Sequence, residues 1–187
     1  MAPELLDRAR AHGPGPVAPD VLARLDGADG PVLVTCSTIG AVAESLAPAL
    51  GVPVLRVDRP MAAAAVRTGR RIAVLATVES TLAPTAALLA EEAGLAEEAG
   101  QAGGAAGRPL SVRTHLVAGA WALFEAGDTA AHLRAVAAAA DAVTDADAVV
   151  LAQASMAGAA DLVRTRLPVL SSPRPGLAAA LDLAARA

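Results

Sequence analysis

Short runs of β-branched and aliphatic residues alternate along the chain with longer stretches whose apolar positions recur every three to four residues. This is the pattern of strands separated by helices. The strand pattern falls at 32–35, 52–57, 71–76, 110–116, 148–153 and 168–170. The helical pattern falls at 3–12, 18–28, 39–50, 58–68, from 82 onward, and at 119–126, 129–144, 155–165 and 175–186. Pro3 and Pro84 stand in first turns, Pro48 kinks or ends the third helix, and Gly69 stops the fourth. The stretch 91–104, with its repeated Glu-Glu-Ala-Gly, reads as a frayed helix end running into a mobile loop. Strands alternating with helices predict an α/β fold whose parallel sheet is covered on both faces.

Two strand–turn–helix segments echo one another. Val32-Leu-Val-Thr-Cys-Ser-Thr-Ile39 aligns with Val149-Val-Leu-Ala-Gln-Ala-Ser-Met156, and Val52-Pro-Val-Leu-Arg-Val-Asp-Arg-Pro60 aligns with Leu167-Pro-Val-Leu-Ser-Ser-Pro-Arg-Pro175. Pro53 follows Cys36 by 17 residues and Pro168 follows Gln153 by 15. Two matches at nearly the same spacing predict two similar α/β halves, residues 1–68 plus 167–187 and residues 69–166. Ligands of open parallel sheets sit outside the carboxyl ends of the strands, so Cys36 and Gln153 are expected to face each other across a cleft.

Composition narrows the chemistry. The chain has 187 residues, a 55% hydrophobic content and almost no aromatics; its mean hydropathy is +0.49. Charges such as Glu125, Asp141 and Asp161 interrupt every apolar run before the ~18 residues of a membrane span. Glu4 and Asp7 stand where a signal peptide would carry basic and apolar residues. A net charge of −4 with no basic patch argues against nucleic acid. A single cysteine excludes an internal disulfide and agrees with a reducing, cytoplasmic setting. All 15 basic residues are arginine, which excludes lysine Schiff-base chemistry.

That cysteine stands at the end of the first strand, with Ser37 and Thr38 positioned to cap the following helix. Free N–H groups and the positive end of a helix dipole favour thiolate there and hold anions such as carboxylates. An inert, buried cysteine is the other reading of the same pattern. The three histidines, His12, His115 and His132, share no metal-ligand spacing, so no metal site is read; a Cys36–His pair has no local motif behind it. Arg56, Asp58 and Arg59 can line a cleft or form surface ion pairs. Trp121 and Phe124 read as packing residues, and Glu91, Glu92, Glu97 and Glu98 as a solvated face. No phosphate loop or dinucleotide glycine signature is present.

The turns Thr35-Cys36-Ser37-Thr38, Ala76-Thr77-Val-Glu-Ser80-Thr81 and Ala152-Gln153-Ala154-Ser155-Met156 together resemble those of the aspartate/glutamate racemase superfamily. That superfamily includes hydantoin racemases, maleate isomerases and arylmalonate decarboxylases. The resemblance covers most of the chain. It implies two flavodoxin-like parallel-sheet halves around a cleft, with the last strand and helix returning to the first half. It also implies cofactor-independent isomerase or lyase chemistry on a small carboxylic acid, and suggests a homodimer. Cys36 would be the proton carrier. Ser37, Thr38, Thr77, Ser80, Thr81, Gln153 and Ser155 would hold the carboxylate or the developing enolate; each Ser or Thr reads equally well as a helix cap.

Two departures bear on this expectation. Gln153 stands where the family carries a second cysteine, and an amide cannot shuttle a proton. Two-base racemisation is thereby disfavoured, leaving decarboxylation with protonation from Cys36, or isomerisation or addition through a Cys36 thioether. The family also opens with a strand and turn that precede the first helix read here, so the first half is expected to lack its opening strand and to expose a sheet edge. A non-catalytic, carboxylate-binding member is the alternative function.

Overall fold

The structure is a computed structural model describing residues 3–100 and 108–186. Residues 101–107 lie outside the described residues, and with them the part of the expected loop from 101 to 104. The fold is α/β, with parallel strands in two groups. The chain divides into one unit of Met1–Val57 with Pro173–Ala187 and a second of Asp58–Ser172.

The first unit contains α1 (Pro3–His12), α2 (Ala18–Leu25), β1 (Val32–Val34), α3 (Ser37–Ser45), α4 (Ala47–Leu50) and β2 (Val54–Arg56). Pro48 lies in the first turn of α4, so the helix expected at 39–50 is two helices broken at Leu46. The strands β1 and β2 run parallel. Leu5 and Ala9 of α1, Val21 of α2 and Ile39 and Ala43 of α3 bury one shared core, each pair one helical turn apart on its own helix.

The second unit is built on a four-stranded parallel sheet. Its elements are α5 (Arg59–Thr68), β3 (Arg71–Ala76), α6 (Leu82–Glu98), β4 (Ser111–Leu116), α7 (Ala120–Glu125), α8 (Thr129–Asp141), β5 (Ala148–Leu151) and β6 (Val169–Ser171). The order is β4-β3-β5-β6. β3 and β5 lie at the centre and are buried almost throughout, as parallel strands covered on both faces must be. Their alternate side chains feed two cores. Ile72, Val74 and Ala76 pack with α5 and α6, while Ala73 and Leu75 pack with Val136, Ala137 and Ala140 of α8. β4 is an edge, and its Arg113 and His115 are exposed as edge strands favour.

The division falls at Asp58 and Pro173 rather than at 69 and 167. Met61, Ala62, Ala65 and Val66 bury the face of α5 against Leu88 and Leu89 of α6. β6 pairs with β5 through Val149↔Val169, Val150↔Leu170 and Leu151↔Ser171. Only the last helix, α9 (Pro173–Ala184), joins the first unit, where it packs on β1 and β2. The last strand therefore does not return to the first half with its helix.

The sequence echo has a geometric counterpart. Val32 N–H donates to Pro53 O at 2.8 Å, and Val149 N–H donates to Pro168 O at 2.9 Å. These are corresponding positions of the two repeats, one in each unit.

Several polar side chains read as surface groups are buried. Arg56 and Asp58 are each 1% exposed, and the Arg56 backbone N–H donates to Glu44 Oε1 at 3.1 Å. Helix α6 does not fray at Glu91 but continues to Glu98, with Glu92 only 8% exposed. Arg59 explains this, reaching Glu92 at 2.5 Å and Glu91 at 3.1 Å and so joining α5 to α6. The buried Arg70 guanidinium lies 2.8 Å from Glu97 at the far end of the same helix.

Asp147 ties the start of β3 to the start of β5. Its carboxylate accepts from Arg70 N at 3.0 Å and Arg71 N at 2.9 Å, and from Arg71 Nε at 3.1 Å and Nη2 at 2.7 Å. The Arg71 side chain, then its backbone N–H, holds the carboxyl at about 2, below the usual 3.8. A depressed carboxyl stabilises the fold fully above its unfolded pKa, and that stability is lost as pH falls through the folded value. It amounts to about 2.5 kcal/mol at most, and less after solvent screening, because Arg71 is 43% exposed. Urea unfolding of the wild type should therefore lose this increment between about pH 4 and 2. Asp147→Asn should be less stable at pH 7 and should lack that part of the acid slope. Equal slopes for the two proteins would contradict this assignment.

Candidate functional site

Cys36 follows β1 in an extended conformation, φ −108° and ψ 112°, and is itself the N-cap of α3. Ser37 and Thr38 are the first residues inside the helix rather than its caps, and no side chain caps it. The first backbone N–H groups of α3 consequently have no partner within the helix. The thiol is half-buried, resting against the core formed by Ile39, Ala43 and their neighbours. One turn into α3, Gly40 lies against the buried Arg56. A Cβ at this position would stand 2.8 Å from Arg56 Nε, so the small residue lets the helix sit directly over the guanidinium.

In the second unit, Gln153 holds the corresponding place after β5, extended at φ −128° and ψ 142° and heading a 3-10 helix of Ala154–Asp161. The sequence pattern predicted an α-helix here capped by Ser155; Ser155 instead lies within the 3-10 turn and does not cap it. The Gln153 side chain turns toward the end of β3. Its Oε1 accepts from Thr77 N at 2.6 Å, Thr77 Oγ1 at 3.0 Å and Val78 N at 3.2 Å. These three donors identify that atom as the oxygen of the amide.

Thr77 and Thr81 are almost fully buried. Thr81 lends its carbonyl to Thr85 Oγ1 at 2.9 Å, a contact that ties the turn to α6. Ser80 Oγ, in the same turn, is buried without a hydrogen-bond partner. The structure thus gathers Cys36, Ser37 and Thr38 at one strand-end turn of the first unit. It gathers Thr77, Ser80, Thr81 and Gln153 at adjacent strand ends of the second, with Ser155 one turn along the chain.

The sequence reading missed what lies under these turns. Arg56 was visible only as a charge following a strand, whereas Gly40 at the matching point of α3 marks where a large side chain approaches. A groove of about 370 Å³ runs along β4, with Arg113, His115, Arg71 and Asp145 among its lining. Its two guanidinium groups are already drawn together by Asp145, at 2.5 and 2.8 Å. His132 is fully buried, with its Nδ1 2.9 Å from Ala120 O and Phe124 against its ring, which places it with the packing of α7 on α8. Trp121 stacks on Phe124 at 5.2 Å. Among the described residues no group of His, Cys, Asp and Glu could hold a metal ion, and no helix is long and apolar enough to cross a membrane.

A family model described as Asp/Glu/Hydantoin racemase matches residues 2–180. Solved structures similar to the chain include a glutamate racemase of Bacillus anthracis, at TM-score 0.52 and 21% identity over 83% of this chain and 58% of that one. An allantoin racemase of Pseudomonas fluorescens matches at TM-score 0.57 and 24% identity, over 89% of this chain and 68% of that one. An arylmalonate decarboxylase matches at TM-score 0.57 and 21% identity, over 94% of this chain and 78% of that one. At these identities the likeness is one of fold, and the chain spans under two thirds of the glutamate racemase's length. No curated protein matches it.

Proposed function

Since the chain belongs to the Asp/Glu/Hydantoin racemase family, we propose that it is an isomerase- or lyase-type enzyme in which Cys36 moves a proton at the carbon beside a carboxylate. The observation that carries this reading is the place of the chain's only cysteine, at the N-cap of α3, with only Thr35 between it and the end of the parallel strand β1. A thiol can both give and take a proton near neutral pH, which proton exchange or protonation of an enolate requires. The open N–H groups of α3, with the hydroxyls of Ser37 and Thr38, supply donors for a carboxylate or enolate oxygen. Carboxylate holding is assigned also to Thr77, Ser80, Thr81 and Ser155, with Gln153 beside Thr77.

With one cysteine in the chain, the reaction is expected to use one proton carrier. Decarboxylation followed by protonation, or an isomerisation, fits that better than two-base racemisation. A specific observation favours a second reading, in which the chain binds acids without turning them over: an amide, not a thiol, occupies the Gln153 position.

The test incubates the protein in D₂O with a panel of small mono- and dicarboxylic acids. It follows deuterium at the α-carbon and release of CO₂, and in parallel the alkylation of Cys36. One acid class that both turns over and shields the thiol is the expected result. Acids that bind without turnover would transfer the assignment to the second reading, and indifference to every acid would overturn both.

A further inference from the structure

We infer that the Gln153 amide oxygen is an internal competitor for carboxylate, filling a cradle of donors at the ends of β3 and β5 that an acid must take over in order to bind there. This rests on the reading of the chain as a carboxylate binder and names how one of its sites is regulated. Thr77 N, Thr77 Oγ1 and Val78 N converge on the single oxygen at 2.6, 3.0 and 3.2 Å. An amide oxygen offers two lone pairs, so three donors exceed what it ordinarily accepts. The hydroxyl of Ser80, two residues beyond Val78, is buried with no partner. Three donors therefore serve one neutral oxygen, and a fourth in the same turn is left without an acceptor. A carboxylate, with two oxygens and a full charge, matches such a set better, because hydrogen bonds to an ionised acceptor are roughly twice as strong as neutral ones.

Gln153 is well suited to the role of a removable occupant. It belongs to a different strand-end turn, 76 residues from Thr77, and its side chain is only half-buried. Rotation about its own torsions would clear the cradle without moving either strand. An occupant of this kind lowers the apparent affinity for acids by the fraction of time the cradle stands open.

The experiment titrates acetate and malonate against ¹⁵N-labelled protein and follows the amides of Thr77 and Val78. In the wild type these amides should respond only at high acid concentration. In Gln153→Ala they should titrate at a concentration at least about tenfold lower. In Gln153→Glu, whose own carboxylate fills the cradle, they should not respond at all. Where alanine costs the fold, Gln153→Leu keeps the bulk, loses the acceptor and is read by the same criteria. Equal affinities in wild type and Gln153→Ala would overturn the competitor, and so would Thr77 and Val78 amides that stay fixed at saturating acid in a folded variant. The readout does not involve Cys36. A cradle that titrates while no acid exchanges deuterium or shields the thiol would defeat the proton-transfer reading and leave this one standing.

Discussion

Cys36→Ala should leave acid binding in place and lower turnover of the acid found in the screen by about 10²–10⁴-fold, the usual worth of a positioned proton carrier. The packing consequences are small. Cys36 is half-buried and touches the first unit's core from its edge, so losing the sulfur should cost less than about 1.5 kcal/mol. The helix N-terminus is equally indifferent, since the Cys36 side chain makes no capping bond to α3. Circular dichroism and a carboxylate titration should therefore match the wild type while deuterium uptake falls. Cys36→Ser should fail in the same way, because a hydroxyl does not ionise near neutral pH. Turnover within a few fold of wild type in either variant would remove Cys36 from the chemistry.

Gly176→Ala should destabilise the protein by about 1–3 kcal/mol, the range for forcing an extra atom into a packed contact. A Cβ at position 176 would stand 2.2 Å from Val57 O and 2.8 Å from Val57 Cα. Both atoms belong to the backbone just after β2, so no side-chain rotation relieves the clash. Helix α9 must either lift from the β1–β2 sheet or drag β2 with it. The same substitution at Gly94, inside α6, meets nothing within 4 Å. Alanine there should instead stabilise by about 0.5–1 kcal/mol through helix propensity. Urea unfolding of the pair should give shifts of opposite sign. A Gly176→Ala midpoint equal to wild type would mean that α9 does not rest on Val57 as described.

The strands and most helices were legible because they answer to local periodicity. The run Arg71–Ala76 is apolar enough to be a buried strand wherever it goes, and it forms β3 with the boundaries its pattern indicates. The echo between the two strand–turn–helix segments was legible for a related reason. Equivalent residues make equivalent local contacts, as the bonds to Pro53 O and Pro168 O show. Cys36 at a helix N-terminus also followed from order along the chain alone, although it is the cap and Ser37 and Thr38 are not.

What the sequence determined by itself, then, is the α/β alternation, the paired strand-end turns and the cysteine's place in one of them, since each depends on neighbours a few residues away. Tertiary structure alone decided whatever depends on a distant partner. Glu92 is buried because Arg59, 33 residues earlier, neutralises it. Arg56 is buried beside Gly40, and its backbone N–H finds Glu44 twelve residues back. β6 and α5 join the second unit because their apolar faces fit β5 and α6. The orientation of Gln153 belongs to the same class. Its identity was visible as a departure from a cysteine, but only folding brings Thr77 and Val78 to its oxygen, because hydrogen-bond donors 76 residues away leave no mark on the residues around it.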